Sequence, residues 1–147
     1  METSTESTRG VGPSYGYTLR FPGEPFAKLR ERTIEALKRE GFGVLTEIDV
    51  QETLQKKLGE NFRNYVILGA CNPQLAHRGL QAELGLGLLL PCNVVVWEED
   101  DGAVVSMLRP DLMFQAARAP ALEPIAKEAD ERIRRAMEHL RSGAPQG

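Results

Sequence analysis

Hydrophobic and polar residues along this chain alternate with two different periods, and the switches between them mark out the elements. In "SYGYTLRF", Tyr15, Tyr17 and Leu19 alternate with small or polar neighbours, the period-two pattern of a half-buried strand. From Pro25 to Glu40 the pattern changes: Phe26, Leu29, Ile34 and Leu37 fall on one arc of a helical wheel with Arg and Lys opposite, and Gly41 supplies a natural stop. "VLTEIDV" returns to alternation, with Val44, Thr46, Ile48 and Val50 on one face and Leu45, Glu47 and Asp49 on the other. "NYVILGA" and "NVVVWEE" are rich in β-branched and aromatic residues and read as strands. "EEDDGAVVSML" reads as a hairpin with Asp101-Gly102 at its turn. The last stretch is helical, with Ile125, Ala129, Ile133, Met137 and Leu140 spaced by three and four after Pro124. The predicted order is strand, helix, strand, short helix, strand, short helix, two strands and a final helix. Each long helix has one apolar stripe, so the two should cover one face of a largely antiparallel sheet in an α+β domain.

Composition narrows what such a domain can be. A chain of 147 residues, 41% hydrophobic and 27% charged, suits one compact domain with one core. That domain is expected over residues 13–141, between tails at 1–12 and 142–147 whose residues have almost nothing to bury. A net charge of −3 and interleaved acidic and basic residues argue against unaided nucleic-acid binding, which needs clustered cations. The N-terminus lacks the basic start and apolar core of a secretory signal. The most apolar run, Leu84 to Trp97, carries Pro91 and Asn93 and falls short of the ~20 residues a spanning helix needs. A cytoplasmic protein with no membrane partner and reduced cysteines is therefore expected.

The residues able to carry chemistry cluster in "GACNPQLAHRGLQAELGLGLLLPCNVVVW", which holds both cysteines, each followed by asparagine. Asn72 suits a helix N-cap and Pro73 the first helical position, so Cys71 should sit at a helix N-terminus, where the macrodipole favours thiolate. Against this, cysteine is among the residues most often buried as simple packing. Cys92 should share an inward face with Val94 and Val96. Zinc fits poorly: the only histidines are His77 and His139, and neither has ligand spacing to the cysteines. His77 lies within reach of Cys71 but has no third partner, and His139 falls on the polar side of the last helix, where solvent is its expected neighbour. Glu47 and Asp49 project from the same strand face and form a possible carboxylate pair, although "DVQE" also reads as Asp49 capping a short helix. No phosphate-binding glycine pattern is present, and nothing in the sequence specifies a cofactor.

Three segments taken in order, "GFGVLTEIDV", "ILGACNPQLAHRGL" and "GLLLPCNVVVWEE", resemble the bacterial and archaeal family named domain of unknown function 302, over about Tyr15 to Met113. The resemblance implies a TATA-binding-protein-like curved antiparallel sheet in β-α-β4-α order with two main helices on one face, and a homodimer. The residues most characteristic of the family correspond to Glu47, Asp49, Cys71, Asn72, Pro73, Pro91, Cys92 and Asn93; His77 and Trp97 are not among them. No reaction comes with the resemblance, and fold alone does not supply one.

Three functional readings follow. The first is a cytosolic homodimeric module that binds a small or metal-containing ligand between the Cys71-Asn72 and Cys92-Asn93 segments, with Glu47 and Asp49 nearby. In the second, a thiol enzyme, Cys71 is nucleophile or redox centre and Cys92 its resolving partner. The third is an interaction domain with no ligand, in which the asparagines only cap and bridge backbone.

Overall fold

A computed structural model describes residues 12–143. Five strands and five α-helices follow in the order β1 (Gly16–Pro22), α1 (Phe26–Arg39), β2 (Gly43–Asp49), α2 (Val50–Leu58), β3 (Tyr65–Cys71), α3 (Pro73–Ala82), β4 (Cys92–Glu99), β5 (Gly102–Leu108), α4 (Pro110–Ala117) and α5 (Glu123–Ser142). Short 3-10 turns at Leu84–Leu89 and Pro120–Leu122 join α3 to β4 and α4 to α5. The strands form one sheet in the order β1-β5-β4-β3-β2, and every neighbouring pair is antiparallel. This is the α+β arrangement that the two periodicities predict. Helix α4 has no counterpart in that reading. The tails expected at 1–12 and 142–147 fall mostly outside the described residues, and Ser142 is the last residue of α5.

The sheet places its apolar positions against the two long helices. Leu19 and Phe21 of β1, Val66, Leu68 and Ala70 of β3, Val94 and Val96 of β4, and Ala103, Val105 and Met107 of β5 form one buried cluster with Leu29 and Leu37 of α1 and Ile133, Met137 and Leu140 of α5. Burying a side chain of this size contributes about 1.5–3 kcal/mol, so a contiguous cluster decides which face is covered. A second cluster joins Leu75 of α3, Leu86, Cys92, Phe114 of α4 and Leu122, Ile125 and Ala129. It pins α3 and α4 to the flank of α5.

Three local features depart from the sequence reading. The β2–β3 register shifts between Val44 and Thr46, so that Val44 pairs with Ala70 and Glu47 with Leu68. The extra residue returns Val44 to the face of Glu47 and Asp49 and leaves Thr46 and Ile48 on the other, which strict alternation could not foresee. The hairpin turn is Asp100-Asp101, because Gly102 already pairs with Glu99 and Pro22 as the first residue of β5. Glycine is required at 102 because a side chain there would run into the Phe21 carbonyl. Finally, His139 is half-buried and its Nε2 lies 2.8 Å from Glu40 Oε2, where solvent was expected. Gly41 does end α1 as predicted, at φ +85°. It also leaves the space beside it that the Asn72 side chain fills.

Candidate functional site

Cys71 closes β3, Asn72 is the cap and Pro73 opens α3, so this turn folds as its sequence dictates. Asn72 is buried and its side chain is fully engaged: Oδ1 accepts from the Leu75 amide at 3.1 Å, and Nδ2 donates to the Glu40 carbonyl at 3.4 Å. Cys92 opens β4 and is also buried, on the face of Val94 and Val96. Ala70, not Cys71, is its direct partner across the β3–β4 ladder. The two cysteines are thus one residue out of register, and both thiols are free. They share, with Asn72, the lining of a void of about 30 Å³ whose other walls include Phe42, Leu75 and Phe114.

The electrostatics of these thiols reverse the sequence expectation. Burial pushes Cys71 above its ordinary value, with no cation to offset it. Burial, reinforced by the neighbouring Cys71, pushes Cys92 up to about 11. The thiolate needed for nucleophilic attack or soft-metal binding is disfavoured at both. Cys71 is only half-buried, and the loss of hydration alone sets the direction of its shift.

The remaining predicted residues are held elsewhere. Asn93 is exposed on the sheet face opposite Cys92 and borders a separate hollow with Tyr65, Val95 and Trp97. Glu47 is gripped in bidentate fashion by Arg30 of α1, with Nε donating at 2.6 Å. That hydrogen bond outweighs partial burial and holds the carboxyl below the usual carboxylate range. Asp49 caps α2 by accepting from the Glu52 amide at 2.9 Å. The structure therefore brings Cys71, Asn72 and Cys92 together, and places Glu47, Asp49 and Asn93 in three other settings. His77 is exposed. Among the described residues no group of three or more His, Cys, Asp or Glu side chains is placed to hold a metal ion.

Two polar clusters were not anticipated. Glu40 is buried at the end of α1; its carboxylate accepts from Arg135 Nε at 2.9 Å and meets His139, while Arg132 donates to its carbonyl at 3.2 Å. Burial alone would raise this carboxyl, but the hydrogen bonds from His139 and Arg135 prevail and hold it below its ordinary value. On the other side of α5, Tyr17 donates to Asp130 Oδ1 at 2.7 Å, and Arg134 Nε donates to Asp130 Oδ2 at 2.9 Å. Arg109 and Arg134 both lie over the Tyr17 ring, 5.4 and 5.3 Å from its centroid. The available signal was positional: Asp130 sits within the apolar arc of Ala126, Ile133 and Met137, and Glu40 within that of Ala36 and Leu37. A carboxylate on an apolar arc has to find partners when its helix is buried.

The face opposite the helices is only partly open, since Val104 and Ser106 on it are buried. Ile48, Ile67, Val95, Ser106 and Thr18 pair in sequence across β2, β3, β4, β5 and β1, forming one row over that face. Tyr65, Trp97, Val104 and Arg20 form the adjoining row, in which the Tyr65 and Trp97 rings stack 5.8 Å apart. Ile48 is 48% exposed, and Ile67, Val95 and Trp97 are each half-covered.

With this geometry in place the chain can be set beside known proteins. The profile of the family described as Domain of unknown function DUF302 matches residues 17–140. The chain belongs to the DUF302 family. The crystal structure of an uncharacterized conserved DUF302 protein from Bacillus stearothermophilus is similar to it, with a TM-score of 0.77 and 36% sequence identity over 86% of this chain and 98% of that one. No curated protein matches it. DUF302 membership agrees with the three segments singled out above, and the profile extends beyond Met113 to include most of α5. Among the described residues of this DUF302 protein, no helix is long and apolar enough to cross a membrane.

Proposed function

We propose that this DUF302 protein is a cytosolic interaction module that forms a homodimer through the open face of its sheet. The observation that carries the reading is the partly exposed apolar row Ile48-Ile67-Val95, flanked by the stacked Tyr65 and Trp97. Five strands spaced ~4.8 Å apart, each about seven residues of ~3.4 Å, present a face on the order of 600 Å². A stable interface takes about 800 Å² from each partner, so the face reaches that size only together with its rim. A second copy is the occupant best suited to it. The cations at its margins are already matched, Arg20 by Asp101 at 3.0 Å and Arg63 by Glu99 at 3.6 Å, which leaves little charge to repel an identical face. The same pairing leaves neither Arg20 nor Arg63 free to neutralise a phosphate backbone. The strand order, with both long helices on one face, supports the TATA-binding-protein-like reading of the fold without its DNA-binding use.

The Cys-Asn segments fit packing better than ligand binding. Their shared void is about the volume of one water molecule, the Asn72 side chain is engaged, and both thiols are held protonated. The dimer reading is tested with Ile48→Glu, whose exposed position tolerates charge in the monomer, and with Ile67→Glu at the centre of the row. Sedimentation should give a dimer for the parent chain and a monomer for each variant, with unchanged far-UV circular dichroism. Variants that remain dimeric overturn the reading.

A further inference from the structure

A separate cleft of about 490 Å³ opens between α4 and α5, on the helical side of the molecule and away from the open sheet face. Its size falls within the usual range for small-molecule sites. Phe114, Pro120 and Ala126 supply an apolar floor, and Arg118, Glu123 and Lys127 stand around it. Asp111 and Asp130 also line it, and each carboxylate is already matched by residues that do not line the cleft. Arg109 Nη2 donates to Asp111 at 3.0 Å, while Tyr17 and Arg134 hold Asp130. Arg118 and Lys127 make no ion pair among the described residues.

Arg118 carries a second peculiarity. It is the only described non-glycine residue with a left-handed backbone, at φ +53°, and it ends α4. Glycine is the ordinary choice at such a helix end because any side chain there is strained. Strain of this kind persists only where the surrounding structure over-determines it, and it clusters at ligand-binding sites. An arginine kept at a position suited to glycine, on the rim of an apolar cleft and lacking a carboxylate partner, has the features of an anion-gripping group.

From these observations we propose that the α4–α5 cleft binds a small organic carboxylate with an apolar body, its carboxylate held by Arg118 and Lys127 and its body resting on Phe114. Glu123, the one lining carboxylate without an ion-pair partner among the described residues, selects against a second negative charge on the ligand.

The probes are 3-phenylpropionate, the neutral benzyl alcohol and the cationic 2-phenylethylamine, titrated calorimetrically into the full chain. Binding of 3-phenylpropionate at least tenfold tighter than either analogue is expected. Arg118→Gly should raise the melting temperature of the free protein by relieving the backbone, yet weaken 3-phenylpropionate at least tenfold. Lys127→Ala should weaken it severalfold with little change in melting temperature. Absence of binding by all three probes, equal binding of the neutral or cationic analogue, or undiminished affinity in Arg118→Gly would each overturn the proposal. Because Arg118→Gly is expected to fold more stably, a loss of affinity in it cannot be ascribed to unfolding.

Discussion

The behaviour of Cys71 and Asn72 follows from what surrounds them. In sequence they look like a reactive turn, since a thiol beside a helix N-terminus is an established way to lower a pKa. In the structure burial dominates, and Cys71 and Cys92 are both raised. In the native protein at neutral pH, iodoacetamide should therefore label Cys71 slowly and Cys92 only as fast as the chain unfolds, with both rates converging in denaturant. Rapid labelling of Cys71 that titrates below the ~8.5 of a free thiol would reinstate the thiol-enzyme reading. Asn72 should matter more to the fold than either sulfur, because it caps α3 and ties it to the end of α1. Asn72→Ala is expected to cost about 1–2 kcal/mol in urea unfolding. Spacing alone could show that Asn72 is a cap. It could not show that the second hydrogen bond of Asn72 reaches Glu40, because that contact depends on Gly41 making room between two distant elements.

Among the elements, α5 organises the helical layer, with its apolar stripe on the sheet and polar clusters to either side of it. Its stripe was readable because buried positions recur at helical spacing along the whole element, and Ile125, Ala129, Ile133, Met137 and Leu140 are all buried. The short helix α4 was not, since Pro110–Ala117 gains its order from packing Met113 and Phe114 against the second cluster. Helices this short depend on such tertiary contacts. The Glu40 cluster joins α1 to α5 and predicts a pH dependence. The carboxyl has a lower pKa in the folded chain than its ordinary value of 4.5, so its contribution is complete above that value and is lost as the pH falls through the folded pKa. Glu40→Gln should thus destabilise the protein at neutral pH by about 1–3 kcal/mol, by removing the charge and turning one of the two acceptor oxygens that Arg135 and His139 meet into a donor. The difference from the parent chain should shrink below pH 4.5 in urea unfolding. A constant difference across that range would mean that the carboxylate charge contributes nothing.

In the whole molecule the two faces of the sheet have different fates. One is sealed by α1 and α5, and the other carries a partly exposed aliphatic row and a half-covered stacked aromatic pair. The five strands and two long helices could be read from the sequence because each repeats its own period. The composition of the open face could not, because the bulge at β2 decides that Ile48 joins Ile67 and Val95 there while Val44 turns inward. Trp97 is the single tryptophan of the chain and lies beside that row, so its emission should shift to the red as a dimer dissociates on dilution. The most direct test of this account is the mass of the native protein in solution, measured by light scattering from micromolar to millimolar concentration. Twice the 16.3 kDa chain mass, falling to a single chain on Ile67→Glu, is the predicted result. A parent chain that stays at 16.3 kDa throughout would contradict it.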